Sequence, residues 1–303
     1  MKWDKKGLIY TPQGSSDWMN NSALQPTPLI IGDYIRVYVG FRDKLGVSRI
    51  GYVDVNANNP SIIKKVSEYP VLDVGEPGCF DDNGVVPCAV FKHDDKLYLF
   101  YAGYNLGHHV RMTIYGGLAV STDNGNTFQR YSKVPVMERS ENERLFRVVH
   151  TIMYDNGKWK IYYGAGSNFI QGKHKTLPVY NIMYMQVDDF TDLKSEGIPV
   201  IRISNDEYRV GRPYVIKRNG IYCMFFGAGT EKTIYRLAYA ESTDGENWER
   251  MDDKLGLEFS KSAWDSEMTA YPAVVIYNDK TYMFYNGNNY GYDGFGYAVL
   301  VAL

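Results

Sequence analysis

Apolar and polar residues alternate in short runs along the whole chain, and similar runs recur at a regular interval. Five strings share one form: YIRVYVGFRD, LYLFYAGYNL, WKIYYGAGSN, YCMFFGAGTE and TYMFYNGNNY. Their central aromatic residues are Tyr38, Tyr101, Tyr163, Phe226 and Tyr285, at intervals of 63, 62, 63 and 59 residues. A period of this length is typical of repeat architectures. No helical period of about 3.6 residues competes over a useful length.

Each repeat contains the same order of elements. A first apolar strand (PLII, PCAVF, HTIMY, PYVIK or PAVVIY) leads through an Asn/Asp/Gly turn into the aromatic strand, as in two-strand hairpins. A third strand follows a variable loop, and more polar fourth strands end the first four repeats (SEYPVLD, SKVPVMER, EGIPVIRI and DKLGLEF). The last repeat has no fourth strand, whereas DKKGLIY near the N-terminus has the required form. The sequence therefore predicts an all-β fold, a five-bladed β-propeller of four-stranded blades, in which residues 1–303 form a single domain and the N-terminal strand closes the last blade.

Two turns between third and fourth strands, STDNGNTF and STDGENW, resemble Asp-box turns. In such a turn the aspartate accepts backbone N–H bonds while the aromatic residue fills the edge of the blade. We expect Asp123 and Asp244 to be structural rather than catalytic.

Composition and charge narrow the class of protein. Hydrophobic residues make up 45% and charged residues 22% of the chain, as in soluble globular proteins. A formal net charge of −2 argues against non-specific nucleic-acid binding. No apolar run approaches the ~20 residues of a membrane helix, and the N-terminus lacks the apolar stretch of a secretory signal. Three cysteines without metal-ligand spacing are predicted to be reduced core thiols. We expect a cytoplasmic protein with neither nucleic-acid nor membrane partners; the oligomeric state stays open.

Propeller geometry converts these positions into a candidate site. The start of each first strand and the loop between the second and third strands lie on one face, and ligands bind where such loops meet a central depression. The first strands align on Pro28, Pro87, His150, Pro213 and Pro272. Five residues before the anchor, Asp82 and Glu267 occupy equivalent places, and they are the candidate catalytic residues. We expect Asp82 to point inward and Asp81 to form a turn. The candidate ligand-binding residues are Trp18, Gln25, Arg42, Asp43, Asn83, Arg147, His150, Arg212, Asp265, Tyr271 and Tyr290.

Several of these residues have two interpretations. Arg147, His150 and Arg212 either hold an anionic group such as phosphate, sulfate or a sugar carboxylate, or form ion pairs that neutralise the two candidate carboxylates. Asp82 and Glu267 either transfer protons or pair with arginines and cap backbone amides. Trp18 and Tyr290 either form a platform for a sugar ring or pack against their own blades.

The architecture resembles the five-bladed propeller glycoside hydrolases, the group that includes families 43, 32, 62 and 130. The strings SDWMNNSALQPTPL, FRDKLGVSRIGYVD, FDDNGVVP, GRPYV and WDSEMTAYP resemble a bacterial glycosyl-hydrolase-like subgroup linked to surface-polysaccharide biosynthesis. In typical family 43 or 130 members an acidic residue directly precedes the first-strand proline or lies two residues before it. Here those places hold Pro26 and Thr27, Val85 and Val86, Gly211 and Arg212, and Ala270 and Tyr271. Catalytic carboxylates must therefore come from Asp82, Glu267, Asp81, Asp43 or Asp265.

The resemblance implies a carbohydrate-active enzyme that acts on a small-molecule or oligosaccharide substrate in the central funnel. Glycosidic hydrolysis commonly uses two carboxylates, here assigned to Asp82 and Glu267. Two alternatives remain: a phosphorylase that uses phosphate in place of water, and a catalytically inactive propeller that binds a sugar or a partner. We expect no cofactor, although an axial cation such as calcium, as in some family 43 relatives, stays open at His150.

Overall fold

The structure is a computed structural model that describes residues 1–14 and 16–302. Twenty strands dominate these residues, which confirms the all-β prediction. The strands are β1 (Lys2–Tyr10), β2 (Asn21–Ile31), β3 (Tyr34–Arg42), β4 (Ser48–Asn56), β5 (Asn59–Val66), β6 (Val85–His93), β7 (Lys96–Leu106), β8 (Met112–Ser121), β9 (Gln129–Arg130), β10 (Phe146–Asp155), β11 (Lys158–Gln171), β12 (Thr176–Val187), β13 (Ile198–Ile201), β14 (Arg209–Arg218), β15 (Ile221–Gly229), β16 (Arg236–Ser242), β17 (Glu249–Arg250), β18 (Ala270–Tyr277), β19 (Lys280–Asn286) and β20 (Phe295–Ala302). A 3-10 segment, Asp252–Lys254, and a helical turn, α1 (Asn288–Gly291), complete the elements. None of the helical segments in this part of the chain is long and apolar enough to span a bilayer.

Strand pairing groups these elements into four-stranded antiparallel units. Three sheets have the orders β2-β3-β4-β5, β6-β7-β8-β9 and β1-β20-β19-β18. The units β10–β13 and β14–β17 form one larger sheet, because Tyr180 of β12 pairs with Arg209 of β14 in a parallel bridge. Strand β1 pairs with β20, so the N-terminal strand completes the unit that holds the C-terminal strand. The propeller class and the predicted closure are thereby confirmed.

The turns between first and second strands follow the predicted chemistry. Asn156 and Gly157 have φ values of 53° and 80°, and Asn219 and Gly220 have values of 49° and 81°. Two successive residues with positive φ are the requirement of a type I′ hairpin, which explains the Asn-Gly pairs in the sequence.

The fourth strands differ from the predicted ones in three units. In the first unit the edge strand is β5, which precedes SEYPVLD; that string contributes only an isolated bridge between Ile50 and Leu72. Strands β9 and β17 are two residues long and directly follow the two Asp-box-like turns. Strand β13 lies within the predicted EGIPVIRI. Short, polar edge strands carry little hydrophobic periodicity, so the sequence pattern locates them poorly.

Every first strand carries a β-bulge where it approaches the axis. The register shifts lie at Leu24/Thr27, Pro87/Ala89, Val149/Thr151, Gly211/Tyr214 and Ala270/Ala273. The bulged segments contain Gln25, Cys88, His150, Arg212 and Tyr271. Gln25, Arg212 and Tyr271 have φ values of 54°, 55° and 57°, which non-glycine residues rarely adopt. Bulges of this kind redirect side chains and are common beside active sites.

Candidate functional site

The guanidinium of Arg212 joins the inner ends of several first strands. Its side chain is 4% exposed, and its Nη2 donates to Thr27 Oγ1 at 2.9 Å and to the carbonyl oxygens of Gln25 and Pro26 at 3.3 Å. Its Nη1 donates to the carbonyl oxygen of Cys88. Burial lowers the pKa of Arg212 from its ordinary value, and carbonyl dipoles replace an anionic partner. These bonds use most of its donors and connect the first, second and fourth units, which argues against both the anion site and the ion pairs that the sequence left open for Arg212.

His150 lies beside Arg212 in the same buried region. Its Nδ1 is 3.3 Å from Nη1 of Arg212. Burial, and then the charge of Arg212, keep the pKa of His150 well below its usual value, so the neutral ring accepts this hydrogen bond. A cation here would face the guanidinium charge, and residues 1–14 and 16–302 contain no group of three or more His, Cys, Asp or Glu that could hold a metal. These residues do not fit the axial cation that the resemblance left open.

Five tyrosines cover the same end of the axis, where first strands begin and second strands lead into third strands. This tyrosine cluster consists of Tyr104, Tyr180, Tyr235, Tyr271 and Tyr290. The ring of Tyr235 lies 5.8 Å from that of Tyr271 and 6.1 Å from that of Tyr290, and its hydroxyl contacts the hydroxyl of Tyr180. Tyr104 and Tyr290 also pack on the apolar cluster around Leu24 and Val86. These contacts link the rings of Tyr180, Tyr235, Tyr271 and Tyr290, and Tyr104 joins them through the apolar cluster; aromatic rings suit the face of a sugar.

Two glycines allow rings of the tyrosine cluster to lie against the backbone. A Cβ atom on Gly211 would lie 2.8 Å from the ring of Tyr180, and one on Gly227 would lie 2.9 Å from the ring of Tyr235. Any larger residue would displace the rings, since real Cβ contacts are longer than this. In the motif GRPYV, Gly211 therefore allows the Tyr180 ring to pack against the backbone, and the next residue, Arg212, binds the inner ends of the first strands.

The sequence analysis missed Arg209, which lies within the tyrosine cluster. Its side chain is 7% exposed, and its Cζ lies 3.7 Å from the centre of the Tyr235 ring. Its Nη2 donates to the carbonyl oxygen of Ile234 at 2.5 Å and to the hydroxyl of Tyr290 at 3.2 Å. The available signal was its position four residues before Pro213, on the face that the propeller pattern assigned to the site.

Glu267 lies at the rim of the tyrosine cluster. Its backbone N–H donates to Asn288 Oδ1 at 2.8 Å, and the following residue, Met268, packs against Tyr235 and Tyr271. The Glu267 side chain is exposed and forms neither a hydrogen bond nor an ion pair within residues 1–14 and 16–302. It is therefore free to meet a ligand at this face.

The adjacent carboxylates Asp81 and Asp82 have the reverse of their expected orientations. Asp81 is fully buried, and its Oδ2 accepts bonds from the Tyr101 hydroxyl at 2.9 Å and from Arg130 Nε at 2.8 Å. Asp82 is half-buried; its oxygens accept bonds from the Gly78 N–H at 2.8 Å and from Asn105 Nδ2 at 3.0 Å. The prediction that Asp82 points inward and that Asp81 only forms a turn is wrong, because the repeat tyrosine binds Asp81.

The Asp81 arrangement recurs in other units as a tyrosine–carboxylate–cation set. The equivalent sets are Glu143 with Tyr163 and Arg147, and Asp265 with Tyr285 and Lys5. Burial tends to raise the pKa of Asp265, but bonds from Lys5 and other donors lower it overall. Arg147 forms its ion pair at 2.5 Å and also donates to three backbone carbonyl oxygens. These contacts use the bonding groups of Arg147 and Asp265 inside the protein and argue against their ligand-binding roles, which stay predictions.

Asp43 and Trp18 also have structural partners. Asp43 Oδ1 accepts the backbone amides two and four residues later, at 2.8 and 3.0 Å, and Oδ2 pairs with Arg49 at 2.9 Å. Trp18 packs edge-on against Phe41 at 5.4 Å, and its Nε1 donates to the carbonyl oxygen of Glu68 at 3.2 Å. Asp43 closes a turn, and the contacts of Trp18 favour the interpretation in which it packs against its own unit; ligand-binding roles for both residues stay predictions.

Other predicted residues lie around the axis as expected. Tyr271 and Tyr290 belong to the tyrosine cluster, and the Asn83 N–H donates to the carbonyl oxygen of Tyr104 at 3.0 Å. Gln25 contributes a carbonyl oxygen to Arg212. Arg42 lies at the end of β3, and its charge acts on Tyr104, where it partly offsets the rise in pKa that burial causes. Whether any of these residues binds a ligand stays a prediction.

Two cavities lie elsewhere, at the hairpin face between neighbouring units. They have volumes of about 280 and 220 Å³. The first is lined by residues that include Phe91, His93, Tyr154 and Trp159, and the second by residues that include Trp3, Cys223 and Phe225. Neither contains a predicted catalytic residue. The candidate site is therefore the tyrosine cluster, where the buried guanidinium of Arg209 lies among aromatic rings and the exposed Glu267 directly precedes Met268, which packs on these rings.

Comparisons with known proteins agree with this architecture. Residues 74–182 match the family model described as the glycosyl hydrolases family 32 N-terminal domain. A thermostable family-43 glycoside hydrolase structure aligns over 96% of this chain and 91% of its own, with 19% identity and a TM-score of 0.65. A structure described for the GH130 family of mannoside phosphorylases, which contains glycoside hydrolases that target beta-1,2 mannosidic linkages in Candida mannan, aligns over 98% and 93%, with 14% identity and a TM-score of 0.72.

A full-length relative occurs in Mycobacterium tuberculosis (strain ATCC 25618 / H37Rv). Over 302 residues the chain is 33% identical to the protein named Uncharacterized protein Rv1502, and the alignment covers 99% of both chains. The structural neighbours establish the propeller fold of glycoside hydrolases, and the family model establishes a related segment within it. The chain therefore belongs to the same family as Rv1502 and is a glycoside hydrolase-like propeller protein.

Proposed function

We propose that this protein is a carbohydrate-active enzyme that cleaves or transfers a glycosidic bond at the tyrosine cluster. The observation that carries the proposal is the exposed, unpaired carboxylate of Glu267 at the rim of an aromatic surface, seen in the described residues. Aromatic rings stack on sugar faces, and a free carboxylate can transfer a proton to or from a glycosidic oxygen.

Glu267 is the stronger candidate for proton transfer. Both Asp82 oxygens already accept hydrogen bonds, whereas the Glu267 side chain has no protein partner in residues 1–14 and 16–302. A reaction with Glu267 as general acid requires a nucleophile, which is either water or phosphate. The second predicted carboxylate, Asp82, is retained as a candidate general base.

The proposal extends to the setting of the reaction. The three cysteines, Cys79, Cys88 and Cys223, are free thiols, which supports a reducing compartment such as the cytoplasm. Burial raises the pKa of Cys88 to about 11, so this axial thiol is protonated and unsuited to act as a nucleophile. We further propose that residues 1–303 act as one domain, which is consistent with the pairing of β1 with β20.

Turnover of a panel of aryl glycosides and nucleotide sugars, with and without phosphate, tests the function. We expect Glu267→Gln to lower kcat/KM by a factor on the order of 100 to 10,000, the usual contribution of a general acid or base. Glu258→Gln, which removes an exposed carboxylate outside the cluster, is the matched control and should keep wild-type turnover. Turnover that depends on phosphate would identify a phosphorylase, and full activity of Glu267→Gln would exclude the proposed role of Glu267.

A further inference from the structure

One guanidinium in the tyrosine cluster, that of Arg209, lacks an anionic partner. In the part of the chain that the structure describes, Arg209 forms no ion pair, and its buried Nε atom has no hydrogen-bond partner. The bonds of Arg209 to a carbonyl and a tyrosine hydroxyl use only its Nη2. Since a guanidinium has five N–H donors, most of the Arg209 donors remain unused.

Most other buried or half-buried arginines compared with Arg209 have carboxylate partners, and Arg212, which has none, instead binds three backbone carbonyl oxygens and a hydroxyl. Arg36 binds Asp54 at 2.7 Å, and Arg250 binds Glu207 at 2.6 Å. Burial of a charge without such a partner costs free energy, because the charge loses its hydration and gains no counter-charge. Arg209 is 7% exposed and has neither a carboxylate partner nor the set of carbonyl partners that Arg212 has, since only its Nη2 donates hydrogen bonds. Its unused donors are those that an anionic ligand would fill.

The tyrosines around Arg209 supply neutral donors and ring faces. Burial raises the pKa of Tyr104, Tyr235 and Tyr271, so their hydroxyls stay protonated at neutral pH. The Tyr290 hydroxyl accepts a bond from Arg209, which leaves its own proton available to a ligand. Guanidinium and hydroxyl donors suit a carboxylate or phosphate ester, and the adjoining rings suit the face of a sugar.

We propose that the tyrosine cluster binds an acidic carbohydrate, whose carboxylate or phosphate ester is held by Arg209. This inference rests on the proposed carbohydrate site and adds the charge of the substrate. The aromatic rings around Arg209 favour a charged group that is part of a sugar, because a free anion would gain nothing from stacking. Inorganic phosphate is accordingly a competing occupant that the experiment separates.

Isothermal titration calorimetry on the full chain tests this inference without requiring turnover. The probes are glucuronic acid against glucose, galacturonic acid against galactose, glucose 6-phosphate and inorganic phosphate. We expect at least one acidic sugar to bind at least about 10-fold more tightly than its neutral counterpart, the effect of one hydrogen bond to a charged group. Arg209→Met should abolish this difference, and Arg209→Lys should retain part of it, because lysine keeps the charge but not the planar fork.

The matched control is Arg218→Met at the opposite end of the same strand, β14, which should bind like the wild type. Thermal unfolding of the ligand-free variants separates binding from structure: Arg209→Met loses the bonds to Ile234 and Tyr290 but also removes a buried charge without a carboxylate partner, so its Tm should stay within about 4 °C of the wild type. Equal binding of acidic and neutral sugars, equal binding of inorganic phosphate and acidic sugars, or undiminished binding by Arg209→Met would overturn the inference. Glu267→Gln should still bind the acidic sugar, because Glu267 is not assigned to the bound anion. If the wild type binds acidic sugars but shows no turnover of any glycoside, the proposed enzymatic function is refuted while the binding inference stands.

Discussion

The neighbouring carboxylates Asp81 and Asp82 offer a direct comparison of a structural residue with a candidate catalytic one. Asp81 is 0% exposed and holds Tyr101 and Arg130, whereas Asp82 is half-buried in a loop. We expect Asp81→Asn to destabilise the protein and Asp82→Asn to leave its stability nearly unchanged. If Asp82 is the general base, only Asp82→Asn lowers turnover of the folded enzyme.

The size of the Asp81→Asn effect follows from its two bonds. The asparagine oxygen still accepts the Tyr101 hydroxyl, but loss of the charge weakens this bond by about 1 kcal/mol. Loss of a buried ion-pair partner costs about 3–5 kcal/mol, which must be reduced here because the Arg130 side chain is 21% exposed and can reach water. The sum is about 2–3 kcal/mol. At about 2 °C per kcal/mol for a chain of this size, Tm should fall by about 4–6 °C.

Scanning calorimetry of both variants, with denaturant titration as a second measure, checks the prediction. Asp82→Asn keeps one acceptor for its two N–H donors and should lose less than about 1 kcal/mol. Tyr101→Phe is a further control: it removes the hydroxyl but keeps the ion pair, and should cost about 1–2 kcal/mol. A Tm for Asp81→Asn within 1 °C of wild type, on the order of the scatter between surface variants, would refute the reasoning. So would a larger loss for Asp82→Asn.

Three further predictions concern the axis. Arg212→Met leaves the carbonyl oxygens around Cys88 without a donor and should lower the free energy of unfolding by about 2–3 kcal/mol in denaturant titrations; wild-type stability would contradict its role as a connector. The lowered pKa of His150 means that the unfolded state binds a proton near pH 6.5 and the folded state does not, so stability is present above that pH and lost as pH falls. Between pH 7.5 and 5.5 the wild type should lose about 1 kcal/mol more than His150→Gln, and parallel curves would exclude this origin. Gly211→Ala places a methyl group against the Tyr180 ring and should cost about 1–3 kcal/mol and weaken acidic-sugar binding; unchanged calorimetry in both respects would show that the ring can move freely.

The sequence predicted local structure best where that structure depends on residues only a few positions apart in the chain. Hairpin turns at Asn156–Gly157 and Asn219–Gly220 follow from backbone torsions that few residues adopt. The Asp-box-like turns are confirmed in the same way, because Asp123 Oδ1 accepts the amides of Asn126 and Thr127 only three and four residues away. Edge strands were located poorly, since they are short and lie half in solvent.

The residue roles at the site depended on contacts that no local pattern encodes. Asp81 and Asp82 have the same chemistry and adjacent positions, yet the sheet geometry directs one to Tyr101 and the other to a loop. Lys5 pairs with Asp265 across 260 residues of sequence, which occupies a predicted ligand-binding carboxylate. The sequence did not predict Arg209 as a site residue, because its position in the site depends on contacts with tyrosines from other segments of the chain.

The amino-acid sequence alone determined the repeat, the all-β class and the closing N-terminal strand. These features follow from periodicity and turn chemistry, which act over a few residues at a time. Only the tertiary structure decided which charged groups are satisfied inside the protein and which remain available to a ligand. The N–H groups of Arg212 donate to acceptors up to 187 residues away in the sequence, whereas Arg209 has no carboxylate partner within the described residues. The physical reason is that burial makes every charge depend on its nearest partners, and those partners are set by the packing of distant units.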